Sequence, residues 1–233
     1  MANLTSSNEY PLSANQQGLW SLEQRFPKQG LYNLNGAWRL PADISFFSLR
    51  SAVERLSARH PALRTTFSER EGKPLQIVHK NLPIDFREVH VEEDSDANVE
   101  EILETRTSQP LDLEKGPLAR WVLISVKRKR PVLLFMVHHI ILDGWSIFVT
   151  ITELGKLYQE EMGGSIPELP SLKRSYRQFI QEEANRQKFL FISCSSSQMS
   201  HHFTKHQFCF TDAQSCLVGS RQSFARLYLR GLQ

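Results

Sequence analysis

A chain of 233 residues, 40% hydrophobic and 23% charged, has the composition of an ordinary soluble globular protein with enough apolar material for a real core. No apolar run approaches the length needed to cross a bilayer, and the start, "MANLTSSNEYPLS", has no basic stretch leading into an apolar one, so no secretory signal is expected and cytoplasmic placement is. The net charge of +3 lies wholly beyond Lys188, where Lys205, Arg221, Arg226 and Arg230 face one acid, Asp212; the balanced remainder removes charge as an argument for nucleic-acid binding.

The first element expected is a helix starting near Ser13, a good N-cap with Gln16 three residues on, and with Leu12, Leu19, Trp20 and Leu22 as its apolar side. "LYNLNGAWRLP" reads as a strand. "DISFFSLRSAVERLSARHP" reads as a helix, because Leu49, Ala52, Val53 and Leu56 recur at helical spacing and Pro61 ends it. "ALRTTFSE" is a short β-prone run, and "PLQIVH" and "IDFREVHV" are expected strands of alternating pattern. A helix in "DSDANVEEILETRTSQP" would be capped at its start by Asp or Ser.

Two strong strands follow, "LARWVLISVK" and "PVLLFMVHH", with "KRKR" (Lys127 to Arg130) as the solvated hairpin turn between them. The second is apolar at every position before its histidines, the pattern of a strand buried on both faces. A helix after Gly144 presents Ile147, Ile151, Leu154 and Tyr158 on one side; a Pro-rich linker, "GGSIPELPSLKR", leads to a last helix starting near Ser175. Strands alternating with helices at short intervals indicate an α/β or α+β domain, neither a bundle nor a sheet-only sandwich. Residues 1–9 are taken as an N-terminal extension and 10–188 as the domain. Residues 189–233, which hold Cys194, Cys209 and Cys216, change composition so abruptly that they are expected to be a misread or frame-shifted end outside the domain's packing.

The chemistry concentrates in "HHIILDGWS". Side chains alternate along a strand, so His138 and His139 face opposite ways and are poorly placed to share a metal ion. Two ligands on one helical face need the i, i+4 spacing of H-E-x-x-H, which is absent, so no metal site is expected. One imidazole is then structural and the other projects from the strand's end, a usual place for a functional side chain. Asp143 either holds a buried arginine or orients the loop, and Gly144 permits a positive φ or a close backbone approach. Trp20, Trp38 and Trp145 are read most simply as core residues.

"HHIILDGWS" resembles the H-H-x-x-x-D-G core of the condensation domains of nonribosomal peptide synthetases. "SANQQGLWSL" (Ser13 to Leu22) resembles the family's first motif, S-x-A-Q-x-R-L-W-x-L, with Asn15 for Ala and Gly18 for Arg. "RHPALRTTF" (Arg59 to Phe67) is similar to R-H-E-x-L-R-T-x-F, with Pro61 for Glu. "YRQFIQ" (Tyr176 to Gln181) resembles Y-x-D-F-A, with Gln178 for Asp and Ile180 for Ala.

The resemblance implies a chloramphenicol-acetyltransferase-like lobe, a mixed sheet flanked by helices, as half of a two-lobed V with the reactive centre at the junction. It implies amide-bond formation between a thioester donor and an aminoacyl acceptor, both delivered by peptidyl or acyl carrier proteins on phosphopantetheine arms, within adjacent synthetase modules. No cofactor bound directly to the chain, no nucleic acid and no membrane are implied. Carried over by residue, His139 is catalytic and Gly144 brings a backbone N–H to the reacting oxygen. His138 is structural, and Asp143 pairs with Arg64 of "LRTTF". The later family motifs, G-x-F-V-N-T and R-D-x-S-R-N-P, are not found, so the resemblance covers the N-terminal lobe only. An apolar face meant for the other lobe is expected to be exposed, and the chain alone to be weakly active or inactive. The competing readings are a non-catalytic carrier-protein docking lobe, an epimerisation-domain fragment, and a coenzyme-A-dependent H-x-x-x-D-G acyltransferase.

Overall fold

The computed structural model describes residues 8–92, 96–165 and 168–196. The chain divides into two units, Met1–Glu183 and Ala184–Gln233, and the first carries all the elements described below except the part of α5 beyond Glu183. The caps expected at Asp94 or Ser95, most of the 1–9 extension and most of the 189–233 tail, with Cys209 and Cys216, lie outside the described residues.

The first unit is a mixed α/β lobe. The elements run β1 (Glu9–Pro11), α1 (Ala14–Arg25), β2 (Asn33–Arg39), α2 (Phe46–Arg59), a 3-10 turn (Pro61–Arg64), β3 (Thr65–Arg70), β4 (Lys73–Val78), β5 (Asp85–Val91), α3 (Asp96–Thr107), β6 (Ala119–Val126), β7 (Val132–His138), α4 (Gly144–Glu161) and α5 (Tyr176–Ser196). They form a four-stranded sheet in the order β2-β7-β6-β5 and a three-stranded sheet in the order β1-β4-β3. All pairings are antiparallel except β5 with β6, whose crossover carries α3.

β7 is central in its sheet, and every one of its residues is buried. Its alternation serves two cores. Leu133, Phe135 and Val137 face the cluster formed with Leu49, Val53 and Leu56 of α2 and Leu154 and Leu157 of α4. Val132, Leu134 and Met136 face the cluster covered by Val99, Ile102 and Leu103 of α3. A run without polar residues is the sequence's record of a strand with helices on both sides. The basic "KRKR" stretch is the β6–β7 turn, with Arg128 at φ +60°.

The capping box expected at Ser13 is present: the Ser13 side chain accepts from the Gln16 N–H, and the Gln16 side chain accepts from the Ser13 N–H. Ser175 and Gln178 make the same reciprocal pair at the start of α5. The apolar side expected for α1 differs in part. Trp20 is buried, but Leu22 is exposed, and the buried stripe is Gln16, Trp20 and Glu23. Two polar residues face inward because each meets the site described below. β1 has no counterpart among the expected strands; Tyr10 and Pro11 pair with the edge of β4. In β2, Trp38 is half-buried against the α2–α4 core, and its indole lies 2.2 Å from where a Cβ on Gly36 would stand, which excludes larger residues there without moving the ring.

Arg59 and His60, the opening of "RHPALRTTF", tie α2 to α4. Arg59 Nε donates to Glu153 Oε2 at 2.9 Å, and His60 Nε2 lies 2.6 Å from the same oxygen. Burial alone would raise the Glu153 carboxyl, but the hydrogen bonds from Arg59 and His60 prevail and hold it below the usual carboxylate range. A carboxyl so depressed stabilises the fold above its ordinary pKa, and that contribution is lost as pH falls through the lowered value. Glu153→Ala, which removes the carboxylate shared by Arg59 and His60, is therefore expected to lower stability by about 1.5–3 kcal/mol in denaturant unfolding at neutral pH, with the difference from wild type narrowing in acid.

Candidate active site

β7 ends at His138, but its alternation continues for two residues. His138 is 2% exposed, His139 is exposed and Ile140 is buried among Leu12, Trp20, Phe67 and Leu118. The two imidazoles thus fall on opposite sides, as the strand period requires.

The backbone around them is held at every step. His138 N–H donates to Leu118 O at 3.0 Å, His139 N–H to Tyr32 O at 2.8 Å and Ile141 N–H to His138 O at 3.1 Å. Ile140 N–H donates to His138 Nδ1 at 3.1 Å, and Gln16 Nε2 donates to Ile140 O at 3.1 Å. Gln16 is itself fixed by Gln76, whose Nε2 donates to Gln16 Oε1 at 2.9 Å and to Pro11 O at 2.8 Å. The imidazole of His139 is therefore the free end of a backbone that cannot swing. Gln16 is legible in the sequence as a cap and motif residue, but its place in the site, like that of Gln76, is not. Both are buried amides, and their role is visible only once the two sheets are brought together.

His138 is a buried neutral imidazole. Burial, then the nearby His139, pushes its pKa down to about 4. Since Nδ1 accepts the Ile140 N–H, the ring proton belongs on Nε2, which has no hydrogen-bond partner and lies 3.6 Å from Glu23 Oε2.

Asp143 is the N-cap of α4. Its backbone is extended and its carboxylate accepts the Ser146 N–H at 2.7 Å. A hydrogen bond from the Ser146 side chain, then that N–H bond, with a smaller contribution from His139, hold its pKa below the usual carboxylate range. His139 is thus within electrostatic reach of the cap. Gly144 is the first helical residue, not a positive-φ turn, and a Cβ there would meet nothing within 4 Å. Of the two options, a positive φ or a close backbone approach, the first is not taken: a glycine starting a helix has helical φ.

The expected Asp143–Arg64 pair is not made. Arg64 Nε donates to Ser57 O at 2.8 Å, and its terminal nitrogens donate to Ala58 O, Lys80 O and His79 O. Ser57 and Ala58 lie in the last turn of α2, whose carbonyls have no partner within the helix. The planar guanidinium fork meets that need, so Arg64 caps the end of one helix while Asp143 caps the start of another.

Trp145 is 74% exposed and is corrected from core to surface; it lies one residue into α4, outside the stripe that meets the sheet. Phe148, 62% exposed, stands beside it with ring centroids 5.7 Å apart. Tyr176 hydrogen-bonds Ser13 Oγ at 2.9 Å and stacks on Phe179, so "YRQFIQ" anchors the start of α5 to the first motif. Among the described residues no group of His, Cys, Asp and Glu could hold a metal ion, and no helix is long and apolar enough to cross a membrane.

Two outcomes follow from this geometry. Asp143→Ala is expected to cost about 0.5–2 kcal/mol, the value of an N-cap, whereas Asp143→Asn keeps an acceptor and is expected to be near neutral in thermal unfolding; a buried ion pair would be broken by both. His138 has its folded pKa depressed below the unfolded 6.5, so its stability contribution is complete above pH 6.5 and is lost as pH falls toward 4, to the extent of about 3 kcal/mol. His138→Asn, which retains an acceptor for Ile140, is expected to flatten the stability profile across that window.

The sequence and the fold are both similar to those of known proteins. A family model described as a condensation domain matches residues 6–190. Gramicidin S synthase 2 of Brevibacillus brevis is 35% identical over 171 residues, covering 73% of this chain but 4% of that protein. Surfactin synthase subunit 2 of Bacillus subtilis (strain 168) is 33% identical over 180 residues, covering 77% of this chain and 5% of that protein. Among solved structures, a mutant starter condensation domain of the rhizomide synthetase superposes with a TM-score of 0.71 at 19% identity, covering 84% of this chain and 50% of that one. The first condensation domain of the calcium-dependent antibiotic synthetase gives 0.69 at 21% identity, covering 78% and 44%. The chain spans a small part of the curated synthetases it matches and about half of the solved condensation domains. It belongs to the condensation-domain family.

Proposed function

We propose that this lobe carries the catalytic histidine of an amide-forming acyl transfer between two carrier-bound substrates, in nonribosomal peptide synthesis. The observation that carries the reading is His139. It is an exposed imidazole whose backbone N–H is held by Tyr32 O, at the end of a buried central strand and beside the start of α4.

The reaction joins an aminoacyl amine to a thioester carbonyl. The amine nitrogen attacks the carbonyl carbon, the C–S bond breaks and the thiol of a phosphopantetheine arm leaves. His139 takes the proton lost by the amine and returns it to the departing sulfur, help typically worth about 10²–10⁴ in rate. Gly144 serves at the first helical position, where an N–H has no intrahelical acceptor and the helix dipole favours the negative charge developing on the carbonyl oxygen. Its missing Cβ leaves room for the substrate. Peptidyl or acyl carrier proteins from adjacent modules are the partners. Much of the acceleration comes from holding both substrates together, so turnover requires the other half of the domain, in the same polypeptide or supplied to it. A second reading is that this lobe docks a carrier protein without turning it over.

The test is amide formation between two loaded carrier proteins, followed by mass spectrometry, with this chain alone and with a matching second lobe added. Product is expected only with the second lobe, and His139→Ala in that complete form is expected to reduce the rate by about 10²–10⁴. Gly144→Ala is expected to leave thermal stability intact and to lower turnover. Equal rates for wild type and His139→Ala sink the proposal. Carrier binding without turnover in the complete form supports the docking reading instead.

A further inference from the structure

Nothing in the reaction above uses Glu23, yet it is a buried acid aimed at the other side of the histidine pair. It lies on the inward stripe of α1, one turn beyond Trp20, and is 9% exposed. Its Oε1 accepts the Lys28 N–H at 3.1 Å, which fixes the carboxylate, and its Oε2 stands 3.6 Å from Nε2 of His138. That nitrogen is one of the few buried polar atoms without a hydrogen-bond partner among the described residues. The other groups around the ring are His139 and Tyr32, whose ring centroid is 6.4 Å away.

We propose that Glu23 is a positioning residue for His139, acting by holding His138 in its Nε2–H tautomer. The inference deepens the reading of His139 as the catalytic group and rests on it. A neutral imidazole has one N–H and one acceptor nitrogen. The turn after β7 needs the acceptor at Nδ1, because that atom receives the Ile140 N–H. The opposite tautomer would point two N–H groups at each other and release Ile140, and with it the peptide that follows His139. A carboxylate accepts and never donates, so it selects the required tautomer, and a movement of a few tenths of an ångström closes the contact to hydrogen-bond length. The arrangement follows the rule that the hydrogen bond at one ring nitrogen sets the proton at the other. Here it acts at one residue's remove, through the backbone.

The isosteric change Glu23→Gln is the sharpest test, because an amide turns over to satisfy either tautomer. The full chain, labelled with 15N in its histidines, is expected to show His138 as a single Nε2–H tautomer at pH 7. In Glu23→Gln the two tautomers are expected to coexist and the His139 ring signals to broaden. Glu23→Ala should do the same, and if it unfolds, Glu23→Gln, which conserves volume, decides. In the complete two-lobed form, Glu23→Gln is expected to lower kcat about tenfold, within the range for a misplaced catalytic group, with KM little changed. A single tautomer and unbroadened His139 signals in both variants, or an Nδ1–H tautomer in the wild type, overturn the proposal. Absence of amide formation by the complete wild type sinks the reaction and leaves the nitrogen spectra to judge Glu23 separately.

Discussion

Neighbouring residues on a strand face opposite ways, and β7 imposes that rule on two imidazoles. One is driven into the protein, where burial keeps it neutral and its Nδ1 receives a backbone N–H. The other is left at the surface on a peptide that its neighbour has pinned. A histidine outside the core keeps its rotamer freedom, but a fixed backbone limits the space its ring can reach; here Leu118, Tyr32, His138 and Gln16 hold that backbone from four directions. The site depends on this division. Were the strand one residue out of register, the exposed and buried rings would change places, and every apolar residue of β7 would meet the wrong core.

The period-2 reading of β7 needs no tertiary information, because an uninterrupted apolar strand admits one environment, and its continuation through His138 and His139 follows. The capping box at Ser13 is equally local. What the sequence does not disclose are the partners of charged side chains. Arg64 and Asp143 are opposite in sign and sit in adjacent motifs of the family, which makes pairing plausible. In the fold each is nearer to an unsatisfied helix end, and helix ends must be satisfied locally. Gln16 is legible as a cap but not as the donor to Ile140 O, since that contact joins residues 124 positions apart. Glu23 is hidden by the same circumstance: on a helix facing a polar site, the inward stripe is not apolar.

Trp145 shows the limit of reading hydrophobicity as burial. The inward side of α4 is complete without it: Ile147, Ile151, Leu154, Leu157 and Tyr158 meet the sheet and α2. A tryptophan one residue into the helix then lies off that stripe, together with Phe148 three positions on. A helix apolar on two sides leaves one of them open to solvent unless something covers it.

That second apolar side begins at the residue after Gly144, so on the proposed reading the element that offers a backbone N–H to the reaction also offers the rim a covering wall would bury. Burying a large apolar side chain is worth about 1.5–3 kcal/mol, so covering Trp145 and Phe148 would contribute a few kcal/mol toward offsetting the cost of association. The same closure would exclude water from around His139 and strengthen the electrostatic effect of the α4 start on a developing oxyanion, because such interactions grow as the local dielectric falls. On the proposed reading, catalysis and lobe association are therefore coupled through one helix. Asp143 fixes its first turn, Gly144 gives access to its N–H, and Trp145 carries the surface whose burial turns an exposed imidazole into an enclosed one.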